Sequence, residues 1–211
     1  MAVRAPQWWL IASVAAALLF ALLRRYYLSS INTSGAKKIK GKKKKGRTPS
    51  PEPTYDASLP ELIVLLGIPG SGKSTWAKQY VLKCDASFTI VSSDEVRKIL
   101  CGNLRDQTRN NEVWEIVLNQ VQGHLKRGRN VILDATNTGT EKRRKFISQL
   151  PPCNRFIKVF QVSKPIAKSR ISKDMEAGVE RTPVPDHVIE RMFKQFHDSL
   201  LAIKDERWRT R

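Results

Sequence analysis

The stretch Leu62-Ile63-Val64-Leu65-Leu66-Gly67-Ile68-Pro69-Gly70-Ser71-Gly72-Lys73-Ser74-Thr75 decides the fold of this chain. Its first half is an apolar, partly β-branched run of strand length. It then breaks into glycines, and Gly67, Gly72, Lys73 and Ser74 fit G-x-x-x-x-G-K-[ST]. Glycines let the backbone wrap closely around a phosphate, so that successive N–H groups point at its oxygens. A helix-compatible run from Ser74 to Leu82 follows, and the N-terminus of such a helix adds partial positive charge. Gly67, Ile68, Pro69, Gly70, Ser71, Gly72, Lys73, Ser74 and Thr75 are therefore expected to cradle the phosphates of ATP. Lys73 would reach the β and γ phosphates, and Ser74 would hold Mg2+. A strand before the motif and a helix after it separate this reading from a plain glycine-rich turn.

Outward from that stretch, strand and helix patterns alternate. Strands are expected at 61–66, 88–92, 130–133 and 155–162. Helices are expected at 73–83, 94–101, 108–127, 139–149, 165–176 and 185–204. In the third helix, Val113, Val117, Val121 and Leu125 recur at helical spacing and mark a core face. Such alternation predicts an α/β fold, a P-loop NTPase-type parallel sheet with helices on both faces, over residues 60–211.

Three further constellations fall at expected strand ends or beside them. In Thr89-Ile90-Val91-Ser92-Ser93-Asp94-Glu95-Val96-Arg97 a strand gives way to a helix. Asp94 then sits at the carboxyl edge of the sheet, where ligands bind in open α/β folds. A competing reading is structural, since Ser92 with Glu95 fits a capping box and Asp94 suits a first helical turn. Asn130-Val131-Ile132-Leu133-Asp134 is a buried strand running into an acid, the pattern of a carboxylate that serves Mg2+ or its waters. Thr136, Asn137 and Thr138 follow at the same edge, where they could also cap the next helix. That helix opens with Glu141-Lys142-Arg143-Arg144-Lys145, and basic residues there oppose the helix dipole, a hint that they meet an anion. Lys168, Arg170, Lys173 and Arg181 supply cations in the polar segment that ends Arg181-Thr182-Pro183-Val184-Pro185. Phosphoryl transfer uses cations on a closing lid; a charged surface helix and loop is the alternative.

The 211 residues carry a formal net charge of +19. Residues 1–58 hold 11 Lys and Arg against 2 Asp and Glu, and the remainder holds 27 against 17. The excess is thus shared by the folded part, which suits a polyanionic partner or a merely solvated basic surface. Trp8 to Leu23 is apolar except for Ser13, with aromatic pairs Trp8-Trp9 and Tyr26-Tyr27 at its flanks. Residues 1–27 are expected to form an N-terminal membrane anchor, contacting the bilayer through 8–27; a cleaved signal peptide is the rival. Ten of the eleven basic residues of residues 1–58 follow the apolar run, which would place the C-terminal domain on the cytosolic side. The outer mitochondrial membrane and the endoplasmic reticulum both suit such an anchor. Residues 28–59 read as a linker, with a lysine-rich run at 37–47 that cannot bury a core and Pro49, Pro51 and Pro53 behind it. Cys84, Cys101 and Cys153 lack metal spacing and read as reduced thiols. No ligand pattern links His124, His187 and His197, so no structural zinc is expected.

Together these elements resemble the polynucleotide 5′-hydroxyl kinase family of P-loop phosphotransferases, of the phage RNA-repair type. The resemblance rests on Gly67 through Ala77, on Asp94 to Arg97 as D-x-x-R, on Asp134-Ala135-Thr136-Asn137 as D-x-T-N, and on Val184 through Met192. It implies an ATP-dependent kinase whose acceptor is the 5′-hydroxyl of RNA or DNA. It further implies Asp94 as general base, Arg97 holding substrate, Lys73 and Arg170 offsetting phosphoryl charge, and Mg2+ on Ser74 with Asp134 behind it. The family's second lid arginine has no counterpart near Lys173-Asp174, where Lys173 or Arg181 would have to substitute. Motifs of the phosphatase, phosphodiesterase and ligase domains that such kinases often carry are not visible, so a kinase alone on a membrane tether is expected. A small-molecule kinase and a nucleotide-binding tether without turnover are the other readings of the same scaffold.

Overall fold

The computed structural model describes residues 54–84, 87–206 and 208–211. The expected anchor at 8–27 and most of the linker lie outside the described residues. No described helix is long and apolar enough to cross a membrane.

The described residues form one compact unit. Its elements run β1 (Glu61–Leu66), α1 (Lys73–Lys83), β2 (Phe88–Ser92), α2 (Ser93–Cys101), α3 (Asn110–Lys126) and β3 (Asn130–Asp134). They continue with α4 (Thr140–Ser148), β4 (Asn154–Val159), α5 (Lys164–Glu176), α6 (Asp186–Ala202) and β5 (Arg209–Thr210). The sheet order is β2-β3-β1-β4-β5, and every neighbouring pair is parallel. From β1 the chain first builds β3 and β2 on one side, then β4 and β5 on the other. The turn after β1 therefore lies where the winding direction reverses, the place at which open α/β sheets bind ligands.

Alternate residues of β1 point to opposite faces, as pleating requires. Leu62 and Val64 pack with Val113, Val117, Val121 and Leu125 of α3 and with Phe146 and Ile147 of α4. Ile63 and Leu65 pack on the other face with Ala77, Trp76 and Tyr80 of α1. A strand buried on both faces needs an unbroken apolar run, which is what Leu62 to Leu66 supplies. A third cluster joins Leu66, Ile68 and Ile157 to Ala167 of α5 and Phe196 of α6, seating the last two helices against the turn after β1.

The strands and helices expected over residues 60–211 are all present, and no end is displaced by more than about three residues, the usual uncertainty of a boundary read from sequence. β5 has no counterpart among the expected strands: two residues pairing with Phe156 and Ile157 of β4 carry no periodicity to read. Glu206, just before it, accepts from Arg143 Nε at 3.0 Å and Nη2 at 2.9 Å, from Arg144 Nε at 3.0 Å and from Trp208 Nε1 at 2.7 Å. The anion that the basic start of α4 meets is thus the chain's own carboxylate. The alternative role of Thr136, Asn137 or Thr138 as a cap of α4 is not found: its N-cap is Gly139, with no side-chain hydrogen bond.

Candidate active site

The turn after β1 closes tightly. Gly70 and Gly72 adopt φ of 76° and 95°, values that side-chain-bearing residues rarely adopt. At Gly70 the restriction is also spatial, because a Cβ there would lie 2.5 Å from the carbonyl oxygen of Ala167 in α5. Arg170, one turn further along α5, donates from Nη1 to the Gly70 carbonyl at 3.4 Å. The helix that carries the expected lid arginine therefore lies directly on the phosphate loop.

Lys73 is the first residue of α1 and is buried. Its ammonium donates to the Ile68 carbonyl at 2.9 Å and to Ser71 Oγ at 3.4 Å, both uncharged acceptors. It forms no ion pair among the described residues. Burial pushes its pKa down to about 8, and the charge of Arg181 pushes the same way, while Asp134 and Asp94 act against them. A desolvated cation curled back on its own loop, above a helix N-terminus, fits the binding of a phosphate anion.

Register brings the acids to the same edge. Ser92 at the end of β2 lies opposite Asp134 at the end of β3. Asp134 is buried, and burial raises its pKa against the opposing effects of Ser74 as hydrogen-bond partner and Lys73 as cation. Ser74 and Asp134, expected to share Mg2+, are thus brought together. Mg2+ uses few protein ligands alongside waters and substrate phosphates, so a hydroxyl and a carboxylate of this kind fit it. Among the described residues no group of three or more His, Cys, Asp or Glu could hold a metal ion on its own.

The start of α2 bears on both readings of Asp94. Ser92 is its N-cap, with Oγ accepting from Glu95 N at 3.4 Å. That is the cap the structural reading expects, and Asp94 stands in the first turn as it requires; the Asp94 carboxylate is at the same time exposed at the sheet edge, where the catalytic reading needs it. Its Oδ1 accepts from Arg97 Nη1 at 3.1 Å. Arg97 is buried, and its Nη2 donates to Asn110 Oδ1 at 2.8 Å.

Asn137 stands at φ 50°, in the left-handed region that asparagine tolerates. Its Nδ2 donates to the carbonyls of Leu65 at 2.8 Å and Ala135 at 3.3 Å, and Gly67 N donates to the Thr136 carbonyl at 3.1 Å. The segment after β3 thereby fixes the start of the phosphate loop. Of the two candidate lid cations, Lys173 is exposed at the end of α5, whereas Arg181 pairs with Asp174 and lies near enough to Lys73 to affect its charge.

A nucleotide-binding glycine loop, a buried lysine and a carboxylate pair at the switch point of a parallel sheet define a P-loop kinase-like domain. The family model described as AAA domain matches residues 62–198, about two thirds of the chain, and the protein belongs to that family. Among solved structures, a chain of the Pnkp1/Rnl/Hen1 RNA repair complex is 25% identical with a TM-score of 0.62, covering 70% of this chain and 47% of that one. A chain from a Pnkp1/Rnl/Hen1 complex is 28% identical over 56% of this chain and 42% of that chain, with a TM-score of 0.49. A Chloroflexus aurantiacus protein shares the fold at 15% identity and a TM-score of 0.51, covering 64% of this chain and 78% of that one. The protein spans less than half the length of the two chains from Pnkp1/Rnl/Hen1 complexes.

Proposed function

We propose that this protein transfers the γ-phosphoryl group of ATP to the 5′-hydroxyl of RNA or DNA. The observation that carries this reading is the convergence of Lys73, Ser74, Asp94 and Asp134 on one sheet edge, with Arg170 over the loop. The likeness to a chain of an RNA repair complex and the basic excess of the folded part support a polynucleotide acceptor.

In this mechanism the phosphate-loop amides and Lys73 hold the β and γ phosphates. The acceptor hydroxyl gives its proton to Asp94 as its oxygen bonds to the γ phosphorus, and the bond from that phosphorus to the β–γ bridging oxygen breaks to release ADP. Lys73, Arg170 and Arg181 offset the charge that develops on the transferring group. Mg2+, held by Ser74 with Asp134, would neutralise charge on the phosphates when bound. Arg97 would hold both Asp94 and the acceptor strand. We further place the domain at a membrane, held there by residues 1–27 through the linker at 28–59 and facing the cytosol at the outer mitochondrial membrane or the endoplasmic reticulum.

Asp94→Asn tests the mechanism. The amide keeps the shape of the side chain, and Ser92 still caps α2. It cannot take the acceptor proton, so the rate on a 5′-hydroxyl oligonucleotide should fall by about two to four orders of magnitude, with melting temperature and ATP affinity nearly unchanged. An Asp94→Asn variant that keeps its activity would remove Asp94 from the chemistry.

A further inference from the structure

Arg97 is held at two points, one of them Asp94. Its side chain is only 7% exposed, whereas that of Asp94 is 68% exposed. One arm of the guanidinium meets Asp94 Oδ1 at 3.1 Å, and the other meets the neutral Asn110 Oδ1 at 2.8 Å. Its Nε is buried with no hydrogen-bond partner among the described residues. Arginine favours a two-pronged grip on a carboxylate. Here the second prong is drawn away by Asn110, so that Asp94 is touched through one oxygen and its Oδ2 is left for a proton.

Asn110 is itself firmly placed. It is the first residue of α3, 13 positions beyond Arg97. The connection leading to it is tied by its own side chains. Asn103 Oδ1 accepts from the amides of Arg105 and Asp106, each at 2.9 Å, and Asp106 Oδ1 accepts from Thr108 N at 2.8 Å. Arg109 donates to the Leu100 carbonyl at 3.0 Å, closing the loop back onto α2. The Leu104 carbonyl also accepts from Thr182 Oγ1 at 2.7 Å, which ties this loop to the segment after α5. A loop braced at both ends holds Asn110 at a set distance from Arg97.

We infer that Asn110 is a positioning residue for phosphoryl transfer: it holds Arg97 in single contact with Asp94 and so keeps one carboxylate oxygen available to the acceptor. The inference rests on the kinase reading above, with Asp94 as base. Without Asn110 the guanidinium is free to close on both carboxylate oxygens, which lowers the rate of the proton-coupled step. ATP would bind on the loop after β1, so its binding should not sense the change.

The test uses the full chain in detergent, with a 5′-hydroxyl oligoribonucleotide and γ-labelled ATP. A hydrogen bond to a charged group of this kind corresponds to about a ten- to hundredfold change in rate. Asn110→Ala should lower kcat by that factor while KM for ATP and the melting temperature stay within about twofold and a degree or two. In an Arg97→Ala background the same substitution should change the rate by less than about twofold, because its route to Asp94 is already cut. An equal loss in both backgrounds, or a change in KM for ATP as large as that in kcat, would overturn the inference. Asp94→Asn in the same assay separates the two levels. An inactive Asp94→Asn beside a fully active Asn110→Ala sinks only the role of Asn110. An active Asp94→Asn sinks the underlying mechanism.

Discussion

Replacing Lys73 by methionine should stabilise this protein while destroying its activity. Burial brings the lysine pKa from 10.5 down to about 8. At about 1.4 kcal/mol per pH unit, keeping this ammonium charged at pH 7 costs the fold about 3 kcal/mol. Methionine keeps the unbranched stem and removes the charge. Ile68 O stays satisfied, since it also accepts from Ser71 N at 3.3 Å. Buried Asp134 loses a favourable cation, which takes back part of the gain. A net stabilisation of about 1–2 kcal/mol remains, or roughly 2–8 °C in melting temperature for a domain of this size. The gain has a pH signature. Between about pH 8 and 10.5 the unfolded chain binds a proton that the folded chain has released, so wild-type stability rises with pH through that window. The advantage of the methionine variant should therefore be complete below pH 8 and fade towards pH 10.5. Thermal melts of both proteins from about pH 6.5 to 10, beside label-transfer rates, check this. A methionine variant that melts below wild type at neutral pH, or two melting curves that run parallel in pH, would refute the account of Lys73 as a buried cation awaiting phosphate.

The other predictions follow from the same geometry. Gly70→Ala should cost about 2–4 kcal/mol, from left-handed strain and from the contact its Cβ would make with the Ala167 carbonyl, and should raise KM for ATP as α5 is displaced; an unchanged thermal melt would contradict it. Deleting residues 1–30 should move the protein from the membrane pellet to the supernatant with label transfer retained. If the full-length chain itself is extracted by alkaline carbonate, the anchor assignment fails.

The parts of this site that are legible in the sequence are those in which one short segment carries the whole meaning. The phosphate loop is a contiguous motif, and its strand and helix context is local. Asp134 is visible because it ends an apolar run and Asp94 because it stands where a strand gives way to a helix, and parallel register does the rest. What escapes is what depends on distant segments meeting. Arg97 and Asn110 belong to different helices, and nothing in the intervening loop announces their contact. The seat of α5 on Gly70 joins residues about a hundred positions apart. That Arg181 lies near enough to Lys73 to affect its charge turns on how the chain folds back after α5, which the sequence alone cannot tell. The basic start of α4 points correctly to an anion, but its partner Glu206 follows α6, close to the end of the chain.

The most direct test of the central claim is transfer of label from γ-labelled ATP to a 5′-hydroxyl oligonucleotide, run beside the same oligonucleotide already bearing a 5′-phosphate and beside a panel of small-molecule alcohols. The account predicts label on the 5′-hydroxyl strand alone, recovered as labelled nucleoside 5′-phosphate after digestion and absent with Lys73→Met. Label on a small molecule and none on the oligonucleotide, or ATP binding with no transfer to any acceptor, would contradict it.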